Sequence, residues 1–234
     1  MIKAAIFDLD STLINTQEIK NNIFNLIREI SGAEDERAMQ IYNKVRNKGG
    51  EITFSLESLK TGLKASVENF DNKIWEEFES RFNTLDKGLL IDGAEELLNF
   101  LKENSVPVYI LTLGVEAWQG QKMKVSGLEG VLGGEFKNVK YTVEEDPKKG
   151  KIKEIMEILL ELNLENCANV LLFNDRPDET EDIMKEFPGL RVFIRREKGD
   201  IRHIDKDFDN LAKNKNVIKI SDDLNFIDEI KKLV

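Results

Sequence analysis

The chain has 234 residues, 41% of them apolar, which suffices for one large domain or for a core with a smaller insert. Charged residues reach 33% and the net charge is −10, so general binding to nucleic acid or to an anionic membrane is disfavoured. An anionic substrate would have to be met by locally concentrated positive charge or by a metal. The single cysteine, Cys167, excludes an intramolecular disulfide framework. No apolar run approaches the ~18 residues of a membrane span, and no secretory signal precedes the first strand, so a cytoplasmic setting is expected.

The first apolar run, residues 4–7, ends in Asp8-Leu9-Asp10-Ser11-Thr12-Leu13. A buried strand that carries two carboxylates and a hydroxyl to its C-terminal tip places charge where open α/β sheets hold their ligands. Two acids that close repel each other, so the pair needs a cation or a reaction that uses it. Asp8 has the chemistry of a nucleophile toward phosphorus. Asp10, two residues on, is placed to protonate a leaving alkoxide and then to deprotonate water. The plainer alternative is a polar loop that caps a turn. A calcium loop starting at Asp8 fails on spacing, because it would need glycine at 13 and glutamate at 19, where Leu13 and Ile19 stand.

From Thr16 to Lys87 the pattern is helical. Ile19, Ile23, Leu26, Ile27 and Ile30 form one stripe, and Ile74, Trp75, Phe78 and Phe82 another. Two further helices are predicted over residues 36–47 and 55–67, separated by Gly49-Gly50. The expected division is a core made of residues 1–15 and 88–234, with 16–87 inserted as an all-helical domain. Lys44, Arg46, Lys48 and Lys60 are its candidate anion contacts.

Beyond the insert, strands and helices alternate. Strands are predicted over 106–112, 169–173, 190–194 and 217–220, with a short one near 138–141, and helices over 95–102 and 151–162. This alternation implies a parallel, Rossmann-like sheet covered on both faces. Thr112 ends its strand and is followed by Leu113-Gly114, which suits a hydroxyl donating to an anion. Asp146 reads as the cap of the next helix and Pro147 as its first residue, so Lys148 or Lys149 would add charge to a helix N-terminus. The strand at 169–173 runs into Asn174-Asp175, with Asp178 and Glu179 following. His203, the only histidine, is expected to be structural or exposed.

In this order the four clusters resemble the motifs of the haloacid dehalogenase-like (HAD) hydrolase superfamily: Asp8-x-Asp10-x-Thr12, Thr112, the lysine that opens a helix, and the acidic loop at Asp175. The helical insert resembles that superfamily's C1-type cap. Ile91-Asp92-Gly93-Ala94-Glu95-Glu96-Leu97-Leu98 is similar to its Pro-Gly-x-x-x-x-Leu-Leu run. The resemblance implies Asp8 as nucleophile and Mg²⁺ ligand, and Asp10 as general acid/base that gives the metal a backbone carbonyl. It implies Thr112 and Lys149 as phosphoryl contacts, with Lys148 the other candidate. Asp175 would be the remaining side-chain metal ligand, and Glu179 or Asp178 the second acid of that loop, acting through water.

Dehalogenases of the superfamily lack an acid at the position of Asp10. The resemblance therefore implies a phosphatase acting on a small phosphorylated metabolite, with a phosphomutase or a non-catalytic binding protein as alternatives. Leu113 and Asn174 depart from the pattern, where small or polar residues and a glycine are usual. Altered loop geometry is expected there, with the reacting groups intact.

Overall fold

The computed structural model describes residues 1–32, 34–48, 51–52, 54–68, 70–85, 88–134, 137–143, 147–197 and 199–233. For 47, 48, 51, 52, 147 and 148 only the backbone is described. Asp146, the expected helix cap, and Gly49-Gly50 lie outside the described residues.

Six parallel strands form the sheet: β1 (Ala4–Asp8), β4 (Val108–Leu113), β5 (Val139–Thr142), β6 (Val170–Asn174), β7 (Arg191–Arg195) and β8 (Val217–Ser221). Their order is β5-β4-β1-β6-β7-β8. The chain leaves β1 toward β4 on one side and later returns to pair β6 on the other. The topological switch therefore falls at the C-terminal end of β1, where such sheets open a crevice. Registry aligns the tips: Asp8 lies opposite Leu111 of β4, and Phe7 opposite Phe173 of β6. Asp8, Thr112 and Asn174-Asp175 thus end their strands at one level.

β1 and β6 are buried along their whole length because helices cover both faces. Alternation along β1 sends Ala5 and Phe7 into one core and Ala4 and Ile6 into the other. The first core continues into α5 (Ala94–Glu103), α6 (Glu116–Val125), α7 (Leu128–Leu132) and α11 (Ile227–Lys231). The second is closed by α8 (Pro147–Glu161), α9 (Pro177–Glu186) and α10 (Asp205–Leu211), with Cys167 packed in it. Phe7, Phe173 and Phe193 stack across three neighbouring strands with centroids 4.1 and 5.0 Å apart. These rings brace the sheet just beneath the crevice.

Between β1 and α5 lie α1 (Thr16–Ser31), α2 (Asp35–Arg46), α3 (Leu56–Ser66) and α4 (Asn72–Asn83). The segment is not wholly helical. A two-stranded antiparallel ladder, β2 (Asn47–Lys48) with β3 (Glu51–Ile52), flanks the glycine pair. Two runs of chain join this segment to the sheet, and they are bonded to each other: Asn15 N donates to Leu89 O (2.7 Å) and Ile91 N to Leu13 O (2.9 Å). The α1 stripe is buried apart from the half-buried Ile30. In α4, Trp75, Phe78 and Phe82 are buried, but Ile74 lies a step off the stripe and is exposed. Trp118 of α6 meets both Phe54 (4.7 Å) and Phe82 (5.8 Å), so aromatic contacts carry the first core across from the sheet to the helices.

Candidate active site

Asp8, Asp10 and Asp175 line one cavity of about 510 Å³ at the switch point, roofed by α1, α2 and Phe54. Its size suits a small-molecule site.

The loop after β1 turns back on itself. Leu13 N and Ile14 N both donate to Leu9 O (3.0 and 3.2 Å), and Ser11 adopts φ +58°. Ser11 N donates to Thr16 Oγ1 (3.1 Å), and Arg195 donates to Ser11 O (2.8 Å), so the end of β7 braces the loop. Thr12 Oγ1 donates to Asp8 Oδ2 (3.4 Å).

The cation that faces Asp8 is Lys151. Its Nζ donates to Asp8 Oδ1 and to Glu179 Oε1, both at 2.6 Å, and its side chain is only 5% exposed. Lys149, the expected phosphoryl contact, is exposed and does not line the cavity; the backbone of Lys148 lies in the same first turn. The correction is one of helical phase. Sequence spacing alone puts Ile152, Ile155, Met156 and Leu159 on one apolar face, yet Met156 is exposed, and the buried face is Lys151, Ile155 and Ile158. That face follows i, i+4, i+7 spacing, with the lysine at its cavity end. Gly150 lets α8 come this close to β5, since a Cβ there would stand 2.0 Å from Thr142 Oγ1.

Asp10 is held from three sides. Lys122 Nζ pairs with its Oδ1, Thr16 Oγ1 donates to the same oxygen (2.7 Å), and Gln119 Nε2 donates to Oδ2 (3.4 Å) and to Leu113 O. Gln119 and Lys122 were missed from sequence. The available signal was their helical spacing from Trp118, which puts all three on one buried face of α6 where only apolar residues would be expected. Gly114 at φ +137° makes room for the Gln119 amide, and a Cβ there would stand 2.6 Å from its nitrogen.

Thr112 is buried at the tip of β4, and its hydroxyl has no hydrogen-bond partner among the described residues. Asn174, the departure from the superfamily pattern, has its own part. Its amide donates to Glu179 Oε1 and Thr180 Oγ1 (both 3.0 Å), while its oxygen accepts from Asp175 N (3.1 Å). Glu179 is thereby fixed inward against Lys151. Asp178 turns outward, pairing with Arg176 (3.0 Å) and approaching the half-buried His203 at 3.6 Å.

Asp175 is buried and meets Arg202 at 3.4 Å, and Arg202 also pairs with Asp200 at 2.7 Å. Asp175, Glu197 and Asp200 each offer an oxygen within 4.8 Å of the others. Arg202, on the loop after β7, was likewise missed from sequence. Of the candidate anion contacts, Arg46 lines the cavity, whereas Lys60 lies over Trp75. Lys44 is exposed, and the Lys48 side chain lies outside the described residues.

These surroundings set the charges. Burial pushes the Asp8 carboxyl up to about 6, against the pull of Lys151 and with Glu179 and Asp10 adding to it. Burial likewise raises Asp175 well above the usual range, helped by Asp8 and opposed by Lys151 and Arg202. Burial alone would raise Asp10 as well, but Lys122, Thr16 and Gln119 together hold it below the usual range. Glu179 is held low in the same way, with Lys151 and Asn174 outweighing burial. Two buried carboxylates, Asp8 raising Asp175, form a donor set suited to a hard divalent cation.

The model of the haloacid dehalogenase-like hydrolase family matches residues 2–179, and the chain belongs to that family. Its fold is similar to that of a protein from Burkholderia xenovorans LB400 proposed to be a haloacid dehalogenase-like hydrolase. The identity is 15% and the TM-score 0.66, over 99% of this chain and 97% of the other. A protein from Thermotoga maritima proposed to be a beta-phosphoglucomutase is 17% identical with a TM-score of 0.62, over 100% of both chains. YfnB from Bacillus subtilis, proposed to be a HAD-hydrolase and bound to magnesium, is 18% identical with a TM-score of 0.57, over 99% of both. Dehalogenases are also among the matching structures. A search of curated proteins gives no match. Among the described residues, no helix is long and apolar enough to cross a membrane.

Proposed function

We propose that this chain is a Mg²⁺-dependent phosphatase that hydrolyses a small phosphate monoester through an aspartyl-phosphate on Asp8. The reading is carried by one observation: Asp8 ends β1 with Lys151 on one oxygen, and Asp10 lines the same cavity two residues on. A carbon–halogen cleavage needs no acid at the position of Asp10. Transfer to water from an ester needs one, first to protonate the leaving oxygen and then to accept a proton from water.

An Asp8 oxygen attacks phosphorus, and the bond from phosphorus to the ester oxygen breaks. The departing oxygen takes a proton from Asp10. Water then attacks the phosphoryl group with Asp10 as base, which frees phosphate and restores both carboxyl groups. The network around Asp10 holds the form that accepts a proton, which suits the second half. Donation in the first half requires that Asp10 first take up a proton from solvent, which Lys122 opposes while it is paired there. Lys151 offsets negative charge between Asp8 and the incoming phosphoryl group, and the Thr112 hydroxyl has a donor to spare for it. Asp8 and Asp175, with the Asp10 main-chain carbonyl, would hold Mg²⁺, which neutralises charge on the phosphoryl oxygens when bound.

In this reading residues 16–87 act as the cap over a core of 1–15 and 88–234, in a cytoplasmic enzyme of small metabolites. The test is phosphate release from a panel of small monoesters, with Mg²⁺ or with chelator, beside Asp8→Asn. Release that needs both Mg²⁺ and Asp8 is expected. An isomerised product without phosphate release would make the protein a mutase. Turnover retained in Asp8→Asn would remove the nucleophile.

A further inference from the structure

The cavity holds more positive charge than the chemistry at Asp8 uses. Lys151 is committed to Asp8 and Glu179, Lys122 to Asp10, Arg176 to Asp178, and Arg202 to Asp175 and Asp200. Lys20 remains. It is half-buried on α1 and lines the cavity, and among the described residues its ammonium has neither a hydrogen bond nor an ion pair. Burial disfavours its charge, and Arg46, Arg202 and Lys122 add to that, with Asp10 opposing. Asp10 already accepts from three donors.

A chain with 44 acids and 34 lysines and arginines has no shortage of carboxylates with which to pair a lysine. It instead leaves this one desolvated beside other cations, in the same cavity as Asp8. A buried charge costs free energy unless something pairs with it, so an anion that enters here gains the attraction that the empty cavity lacks. The remaining wall is aromatic. Tyr42 and Phe54 lie 4.8 Å apart, and Phe54 meets Trp118 at 4.7 Å, which gives a ring or an apolar stem a surface to lie on.

We infer that the substrate is a phosphate monoester bearing a second anionic group, which Lys20 receives at the α1 wall while its stem lies against Phe54 and Trp118. This rests on the phosphatase reading for the first anion, but its test does not depend on turnover. Two isosteric, uncleavable probes are 4-carboxybenzylphosphonate and 4-carbamoylbenzylphosphonate, which differ only in the distal charge. Calorimetry on the full chain should find the carboxylate bound about ten-fold more tightly or better, the scale of a charge-assisted hydrogen bond.

In Lys20→Gln that ratio should fall toward one, and Lys20→Arg should restore most of it. Equal affinity for both probes, including none for either, would overturn the inference, as would a ratio that survives Lys20→Gln. Turnover is then read with 4-carboxyphenyl and 4-carbamoylphenyl phosphate. Preferential binding without phosphate release would sink the phosphatase reading and keep the second anion site. Release from both esters at equal efficiency, with probes bound equally, would do the reverse.

Discussion

Replacing Asp8 with asparagine should stabilise the metal-free protein while abolishing its activity. Asp8 is buried, and its carboxyl is raised from the ordinary 3.8 to about 6. At ~1.4 kcal/mol per pH unit, that displacement corresponds to about 3 kcal/mol held against the ionised form. A carboxyl whose folded pKa exceeds its unfolded one contributes stability when protonated. That contribution is whole below the unfolded value and is lost as pH rises through the folded value, here between about 4 and 6. Above pH 7 without metal, wild type bears the full cost. The substituted amide is neutral, and its oxygen can still accept from Lys151. The gain is therefore up to about 3 kcal/mol, which for a chain of this size is up to ~10 °C in Tm. Melting in chelator from pH 5 to 8 should show wild type losing stability with rising pH and Asp8→Asn losing less, since Asp175 loses a repelling neighbour as well. Mg²⁺ should then raise wild type more than the variant. Asp8→Asn melting at or below wild type at pH 7.5 in chelator would refute the reasoning. Stability given up for a reactive site is the ordinary trade.

Lys151→Met leaves Asp8 and Glu179 buried without their cation, so urea unfolding should show a loss of about 3–5 kcal/mol and phosphate should no longer inhibit. Lys149→Ala, by contrast, should stay within ~0.5 kcal/mol of wild type. Gly150→Ala puts a methyl 2.0 Å from Thr142 Oγ1 and should cost about 1–3 kcal/mol, with Thr142→Ala in the same chain recovering part of it in the same urea titration. Thr112→Val removes a hydroxyl that has no partner in the described structure, so stability should hold or rise by up to ~1 kcal/mol. The phosphate inhibition constant should meanwhile rise by about ten-fold, the loss of one hydrogen bond to a charged group.

What sequence could show divides along the physics of each element. The strand tips were readable because a buried parallel strand is a continuous apolar run, and a carboxylate at its end breaks the run at a definite place. That fixed Asp8 and Asp175 and, with the alternation of helices, the six-stranded sheet, down to the weak edge strand β5. Helix faces were harder. Lys148, Lys149 and Lys151 differ only in phase, and ~100° of turn per residue separates a solvated lysine from one against Asp8. The Lys149-Gly150 pair that opens the helix points to Lys149 by resemblance alone, and that cue carries no phase. Aligning the stripe on Ile155 and Ile158 alone would have turned Lys151 inward. The same logic reaches Lys122, a lysine at the i, i+4 position from a buried tryptophan, where an apolar residue would serve packing better. Arg202 and Lys20 carry no such mark, since each becomes part of the cavity only when distant elements fold over the tip of β1. Their roles follow from charge pairing in three dimensions, and for that reason the second anion site, unlike the acids at the strand ends, is an inference that only the folded chain supports.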